Sequence, residues 1–431
     1  MHWRDEYRKR LCSAEDAARA IKPGNRVVVG HACGEPQVLT TAMVNRAAEL
    51  ENVEVVHMVA MGPAEYCKPE MAPHFRHNAL FVGGSTRKAV NEGRADYTPC
   101  FFHEIPNLFR EGYLPVDVAL IQVSPPDASG FCSYGVSVDY TKPAADGAGY
   151  VIAQVNKHMP RTLGDSFIHV SDIDFIVEAD SPLLELPRPE ITPVERAIGE
   201  NVASLVTDGS TLQLGIGAIP DAVLSFLKDK KDLGIHTEMF SDGVVELVEA
   251  GVVTCRKKSL HPGKMVCTFL MGTKKLYDFV NDNPMVSMYS VDYTNDPWVI
   301  AKNDNLVAIN STLQVDLQGQ CCSESIGFRQ YSGTGGQVDF IRGAGKAKNG
   351  RGVIAMPSTA GGGKYSRIVI SLDQGAAVTT SRNDVDVVVT EYGIARLRGK
   401  CIKQRAQELI AVAHPDFRES LKEGAKKAGI L

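Results

Sequence analysis

The chain has 431 residues, 44% of them hydrophobic and 23% charged, an ordinary balance for a soluble globular protein. Its length exceeds what one ordinary core serves, so two domains are expected. The net charge of -5 argues against a nucleic-acid or anionic-membrane binder. No apolar run approaches a membrane span, and the opening Met1-His2-Trp3-Arg4 does not read as a signal peptide, so a cytoplasmic location is expected. The ten cysteines are scattered, with only Cys321 and Cys322 adjacent, so neither a metal pair nor a secreted disulfide framework is expected.

From the amino end, Lys22-Pro23-Gly24-Asn25-Arg26-Val27-Val28-Val29-Gly30-His31 reads as a polar turn, a buried strand and a glycine, and Gln37 to Leu50 reads as a helix. Pro63-Ala64-Glu65-Tyr66-Cys67 follows and offers a hydroxyl. Val118 to Ile121 is an apolar strand that leads toward Asp127-Ala128-Ser129-Gly130-Phe131-Cys132-Ser133. Ser181 to Pro189 is proline-rich and polar, as a linker is. A helix then starts near Pro193 and carries Glu195, Ile198 and Val202.

What comes next repeats what came before. Thr207-Asp208-Gly209-Ser210-Thr211-Leu212-Gln213-Leu214-Gly215-Ile216 matches the first strand and turn, with Gly24/Gly209 and Gly30/Gly215 both 185 residues apart, and a helix is predicted over Asp221 to Leu227. Leu306 to Ile309 leads to Asp316-Leu317-Gln318-Gly319-Gln320-Cys321, where Asp127/Asp316 and Gly130/Gly319 are both 189 apart. Two α/β halves are read, 1–190 and 191–431, with mostly parallel sheets covered by helices. Ligands of such open sheets sit beyond the carboxyl ends of the strands, which places the expected site in a cleft between halves.

Within the second half, Leu212 to Asp221 runs from strand through Gly215-Ile216-Gly217-Ala218-Ile219 into a helix. Such a turn offers backbone N–H groups to an anionic or oxyanionic ligand. The next strand brings Glu238, in Thr237-Glu238-Met239-Phe240-Ser241-Asp242, beside it. A lone carboxylate facing backbone donors reads as a nucleophile; the competing reading is a solvated strand-end residue above glycines that only permit tight packing. Ser332-Gly333-Thr334-Gly335-Gly336-Gln337-Val338-Asp339-Phe340 is a third glycine cluster, followed by what reads as a strand start. It can hold a phosphate or admit a thioester tail, or it is a glycine-rich hairpin. It is neither a Walker loop nor Gly-x-Gly-x-x-Gly. Ala360-Gly361-Gly362-Gly363-Lys364 reads as a surface turn between two strands.

Taken together, these stretches resemble the acetyl-CoA hydrolase/transferase family, the family I coenzyme A transferases, from Trp3 to Phe417. The carriers are His31 to Glu35-Pro36, Ser124-Pro125-Pro126-Asp127, Leu212 to Asp221, Glu238 to Asp242, Gly335 to Phe340, Thr379-Thr380-Ser381-Arg382, Thr390-Glu391-Tyr392-Gly393-Ile394-Ala395 and His414-Pro415-Asp416-Phe417. The resemblance implies a duplicated NagB/RpiA/CoA-transferase-like α/β fold. It also implies that Glu238 attacks a thioester carbonyl and carries CoA as a glutamyl thioester. Gly215, Ile216, Gly217, Ala218, Ile219, Leu313, Gly335 and Gly336 match CoA-contacting positions. The implied reaction moves CoA between a short-chain acyl-CoA, 4-hydroxybutyryl or butyryl, and acetate in a ping-pong cycle. CoA thioesters and carboxylates are then the substrates, no separate cofactor or metal is expected, and a homodimer or higher homo-oligomer is.

Two other classes compete. An acetyl-CoA hydrolase of the same family would let water resolve the same intermediate. A redox nucleotide binder is disfavoured because Gly215-Ile216-Gly217 lacks the third fingerprint glycine. His31 and Glu35 stand at the duplicate of the glycine turn and read as the opposite wall of the acyl pocket, or, for His31, as a packed, hydrogen-bonded histidine. Glu391 reads as structural, and Cys321 and Cys322 as small apolar fillers.

Overall fold

The computed structural model describes residues 3–431. The chain divides into two compact units, Met1–Leu186 with Val266–Thr294, and Pro187–Met265 with Asn295–Leu431. It therefore crosses between units three times, whereas one crossing near residue 190 was expected.

In the first unit the main elements are β1 (Arg26–Val29), α1 (Gln37–Asn45), β2 (Val53–His57), β3 (Phe75–Ala79), β4 (Ala95–Tyr97), β5 (Val118–Val123), β6 (Tyr150–Val155) and β7 (Phe175–Glu178). The strands form one sheet in the order β4-β3-β2-β1-β5-β6-β7, and every neighbouring pair is parallel. Parallel strands are covered on both faces and so read as unbroken apolar runs. All residues of β5, Val-Ala-Leu-Ile-Gln-Val, are accordingly buried.

The second unit contains α2 (Pro193–Ala203), β8 (Thr211–Leu214), α3 (Ala218–Ser225), β9 (Gly234–Ile235), β10 (Leu306–Asn310), α4 (Gln337–Lys346), β11 (Arg351–Ala355), β12 (Val387–Thr390) and β13 (Gly393–Arg396). Its sheet order is β9-β8-β10-β11-β12-β13, parallel except for the antiparallel edge strand β13. Helix α2 starts at Pro193, and Glu195 accepts the Thr192 N–H at 3.1 Å, a capping arrangement that satisfies an end donor. Ile198 and Val202 of α2 are fully buried. A β-carbon on Gly199 would lie 2.8 Å from Ala222, so this glycine lets α2 approach α3.

The repeat read from sequence reappears in the hydrogen-bond register. Val27 of β1 pairs with Val118 of β5, and Leu212 of β8 pairs with Val307 of β10. Adding 185 to the first residue and 189 to the second converts one pair into the other. The turns match as well. Asp127 Oδ1 accepts the N–H groups of Ser129 and Phe131 at 2.8 and 3.1 Å. Asp316 Oδ1 accepts those of Gln318 and Gln320, both at 2.9 Å. Gly130 and Gly319 have φ of +90° and +94°, a backbone that L side chains rarely adopt.

Three local expectations are corrected. The helix from Gln37 ends at Asn45, and Ala47–Glu49 is a separate 3-10 turn. Helix α3 starts at Ala218 rather than Asp221, because Pro220 falls in the first turn, where its missing N–H costs nothing. Gln337 to Phe340 opens helix α4 rather than a strand. Gln337, Val338, Asp339, Phe340 and Ile341 are all buried, so the segment carries no one-sided period to read. The Gly361–Gly363 turn does join two antiparallel strands, Thr359–Ala360 and Tyr365–Ser366. Among the described residues, no helix is long and apolar enough to cross a membrane.

Candidate active site

Strands β8 and β9 are parallel neighbours, so their carboxyl ends open at the same edge of the second unit's sheet. Gly215-Ile216-Gly217 leaves β8 there and turns into α3. Gly217 has φ +114°, which a side chain would strain, while a β-carbon on Gly215 would meet nothing within 4 Å. Ile216 is exposed on the turn. The first N–H groups of α3, starting at Ala218 and Ile219, have no partners within the helix and carry its positive dipole end.

Glu238 follows β9 and precedes the short strand Met239–Phe240. Thr237 ties the two segments together: its Oγ1 lies 3.1 Å from the Leu214 carbonyl and 2.9 Å from the Met239 carbonyl, within reach of its one hydrogen for either. The glycine turn and Glu238 are thus flanked by residues bonded to each other. The structure brings together two features that the sequence placed 19 to 23 residues apart.

Asn295 and Gly336 complete the surroundings. Asn295 Nδ2 donates to Glu238 Oε2 at 3.2 Å and lies 3.3 Å from Asp339 Oδ2. The Gly336 N–H also bonds the Glu238 carboxylate. A β-carbon on Gly336 would lie 1.9 Å from Oε2, so any side chain there would have to push the Glu238 carboxylate aside. Gly336 is the N-cap of α4 and Asp339 stands one turn further in. Asn295 precedes Asp296, whose Oδ1 accepts the Trp298 N–H at 2.6 Å and caps the short helix Pro297–Ile300. Ile300 of that helix sits where a β-carbon on Gly343 of α4 would be, 2.3 Å from its Cγ2. Close helix packing at Gly343 therefore sets Asn295 against the first turn of α4.

The electrostatics follow from this enclosure. Glu238 is half-buried as a residue, but its carboxylate is surrounded by protein. Burial raises its pKa from the usual 4.5 to about 7; the Asn295 hydrogen bond opposes that rise, the Asp339 charge adds to it, and the Gly336 N–H opposes it. A carboxylate with little water around it is suited to attack a carbonyl, and the N–H donors beside it can hold the oxyanion that forms when its own carbonyl carbon is later attacked.

The other candidates lie as follows. Gly335 has φ +54° and precedes the α4 cap. Leu313 is half-buried just before the strand Gln314–Asp316, with its N–H on the Cys322 carbonyl at 2.9 Å. In the first unit, His31 is fully buried among Phe102, Tyr140 and Phe269, with Nδ1 3.1 Å from Asp139 Oδ2. That is the packed reading. Glu35 accepts the Gly62 N–H at 2.8 Å, and burial raises its pKa. The Tyr66 hydroxyl is spent on His57 Nδ1 at 2.8 Å. Glu391 takes the N–H and hydroxyl of Ser358 at 2.8 and 2.5 Å, a structural clasp. Cys321 and Cys322 are fully buried, and burial raises the Cys321 thiol, as befits fillers. No group of three metal-ligating side chains occurs among the described residues.

Asn295 and Asp339 were not singled out from sequence. Asp339 had a readable signal, an acid at the third position after the Gly335-Gly336 cap, once that segment is taken as a helix. Asn295 had none.

Residues 1–185 match the acetyl-CoA hydrolase/transferase N-terminal domain, and residues 272–425 match its C-terminal domain. The 4-hydroxybutyrate coenzyme A transferase of Clostridium kluyveri is 67% identical over 427 residues, which cover 99% of this chain and 100% of that protein. The butyryl-CoA:acetate CoA-transferase of Anaerostipes caccae is 39% identical, covering 100% of this chain and 99% of the relative. Among solved structures, the 4-hydroxybutyrate CoA-transferase of Porphyromonas gingivalis aligns with a TM-score of 0.87 at 47% identity, covering 99% of this chain and all of that one.

Proposed function

This chain belongs to the acetyl-CoA hydrolase/transferase family, and from that premise we propose that it is an acyl-CoA:carboxylate CoA-transferase working through Glu238. The observation that carries the reading is the Glu238 carboxylate, desolvated yet held by Asn295 and the Gly336 N–H. Glu238 attacks the thioester carbonyl of an acyl-CoA, giving an acyl-glutamyl anhydride and CoA thiolate. The thiolate attacks the glutamyl carbonyl, releasing the carboxylate product and leaving a Glu238–CoA thioester. An incoming carboxylate reverses these steps. An anhydride keeps the acyl group activated, so no external energy is needed.

Gly215 to Ile219, Leu313, Gly335 and Gly336 are the CoA-contacting residues in this reading. The turn's free N–H groups and the absence of side chains at Gly215 and Gly336 support it. Acetate is one exchange partner, and the acyl donor is 4-hydroxybutyryl-CoA or butyryl-CoA, the groups that the two relatives are named for. We place the enzyme in the cytoplasm as a homo-oligomer, with CoA entering only as substrate.

The test is trapping. Incubation with acyl-CoA and no acceptor should form a thioester, and borohydride should then inactivate the protein with the change mapped to the Glu238 peptide. Modification elsewhere, or full activity in Glu238→Ala, removes Glu238 as the nucleophile. Thiol release that needs no acetate would mark a hydrolase instead.

A further inference from the structure

We propose that Asp339 is a positioning residue for Glu238, acting through Asn295: it holds the amide with an N–H, not the carbonyl oxygen, toward the glutamyl group throughout turnover. This rests on Glu238 being the nucleophile.

The argument starts from the two ends of a primary amide, which are opposite in hydrogen bonding but nearly identical in shape. Asn295 Nδ2 lies 3.2 Å from Glu238 Oε2 and 3.3 Å from Asp339 Oδ2. One nitrogen carries two hydrogens, so each carboxylate can take one. Turning the amide over would set its oxygen against both acceptors. Asn295 and Asp339 are almost wholly buried, so water cannot compensate a wrong orientation. The amide oxygen has no hydrogen-bond partner of its own, so nothing on its far side fixes it.

In the resting enzyme Glu238 itself helps to orient Asn295. In the anhydride and the thioester Glu238 has lost its charge, and its oxygen is a weak carbonyl acceptor. Asp339 keeps its place on α4 at those stages, when the N–H is needed for the next tetrahedral oxyanion. Asp339 is also the charged group that faces Glu238. On Glu238's own segment, His236 stands edge-on to Phe340, and on α4 Gln337 donates to Thr380 Oγ1 at 2.9 Å. Removing the Asp339 charge should therefore make Glu238 easier to ionise.

Asp339→Asn is the variant to make, because it keeps the shape and lets Asn295 bond in either orientation. Expected are a kcat about ten- to a hundredfold lower with little change in acyl-CoA KM, and an acid limb of kcat/KM moved down by about one pH unit. In an Asn295→Ala background the same change should cost less than about threefold, because the residue it acts through is gone. If the variant does not fold, Asp339→Ser, which removes the charge and leaves a hydroxyl, carries the same readings. An equal cost in both backgrounds with an unmoved acid limb overturns the inference and leaves Asp339 a packing residue. Trapping separates this from the premise: no thioester on wild-type Glu238 defeats the proposed function, whereas a normal thioester with an additive cycle defeats only the role of Asp339.

Discussion

Gly336 and Glu238 fit so closely that a side chain on Gly336 would have to displace the carboxylate: a β-carbon there would lie 1.9 Å from Glu238 Oε2 and 2.5 Å from Asn295 Nδ2. Its φ is an ordinary -93°, so the demand for glycine is steric and local to the carboxylate. Gly336→Ala should therefore displace Glu238 without disturbing the fold. A displacement near 1 Å can cost about 10²-fold in rate, so kcat should fall by that order while the melting temperature moves by no more than a few degrees. Steady-state assays with parallel thermal melts check this. A normal kcat would mean that the reacting carboxylate does not occupy the position described.

The pKa of about 7 on Glu238 has two consequences of opposite sign. Catalysis needs the ionised form, so kcat/KM should fall tenfold per pH unit below an acid limb near 7. Folding prefers the protonated form. Stability is therefore fully present below the unfolded value near 4.5, falls as pH rises from there, and reaches its full loss above 7. The loss is on the order of 3 kcal/mol at pH 8. Glu238→Gln should then raise the melting temperature by several degrees at pH 8 and hardly at all at pH 4.5. Equal shifts at both pH values would assign the gain to something other than titration.

Gly215 and Gly217 should respond differently to the same methyl group. Gly215 has open space and no positive φ, so Gly215→Ala should fold as well as the parent, and any rise in acyl-CoA KM reports CoA on the turn. Gly217 has equal space but φ +114°, so Gly217→Ala strains the backbone by about 1–3 kcal/mol. It should lose both binding and stability. A silent Gly215→Ala, alone and as the bulkier Gly215→Val, would place CoA elsewhere.

The paired turns offer an internal comparison. Asp316 is buried and also accepts Gln320 Nε2 at 2.7 Å, while Asp127 is half-buried and shares Arg161 at 3.1 Å. Stranding buried N–H groups costs about 1–3 kcal/mol each, and exposed ones less. Asp316→Ala should thus destabilise more than Asp127→Ala in denaturant melts. The reverse order would show that the ion pair with Arg161 outweighs burial.

Much of this was legible in the sequence because repetition leaves a mark that no single motif does. The glycine pairs at one offset and the Asp/Gly pairs at another foretold the strand register, since a parallel sheet fixes which residues face each other. Glu238 and the Gly215–Ile219 turn were legible because strand ends carry ligands. Asn295 was not, because a residue placed by a capped short helix and by a glycine forty-eight positions later, Gly343, leaves no periodic trace. Asp339 was hidden differently: the first five residues of its helix are all buried, so the opening turn shows no period to tell it from a strand.

The chain's return to the first unit at Val266 has a consequence for how the protein is made. Thr268, Gly272 and Met288 supply carbonyls to the N–H groups of Val138, Leu186 and Asp165, and Val291 donates to Asp139. When the ribosome has added Leu186, it must still add residues 187 to 294 before those bonds can form. At roughly 5–20 residues per second, this takes on the order of ten seconds. The unit that begins first therefore cannot be completed until the first segment of the other has been made. A nascent chain in that interval shows open backbone and apolar surface at Val136 to Tyr140, a defined target for a holding chaperone.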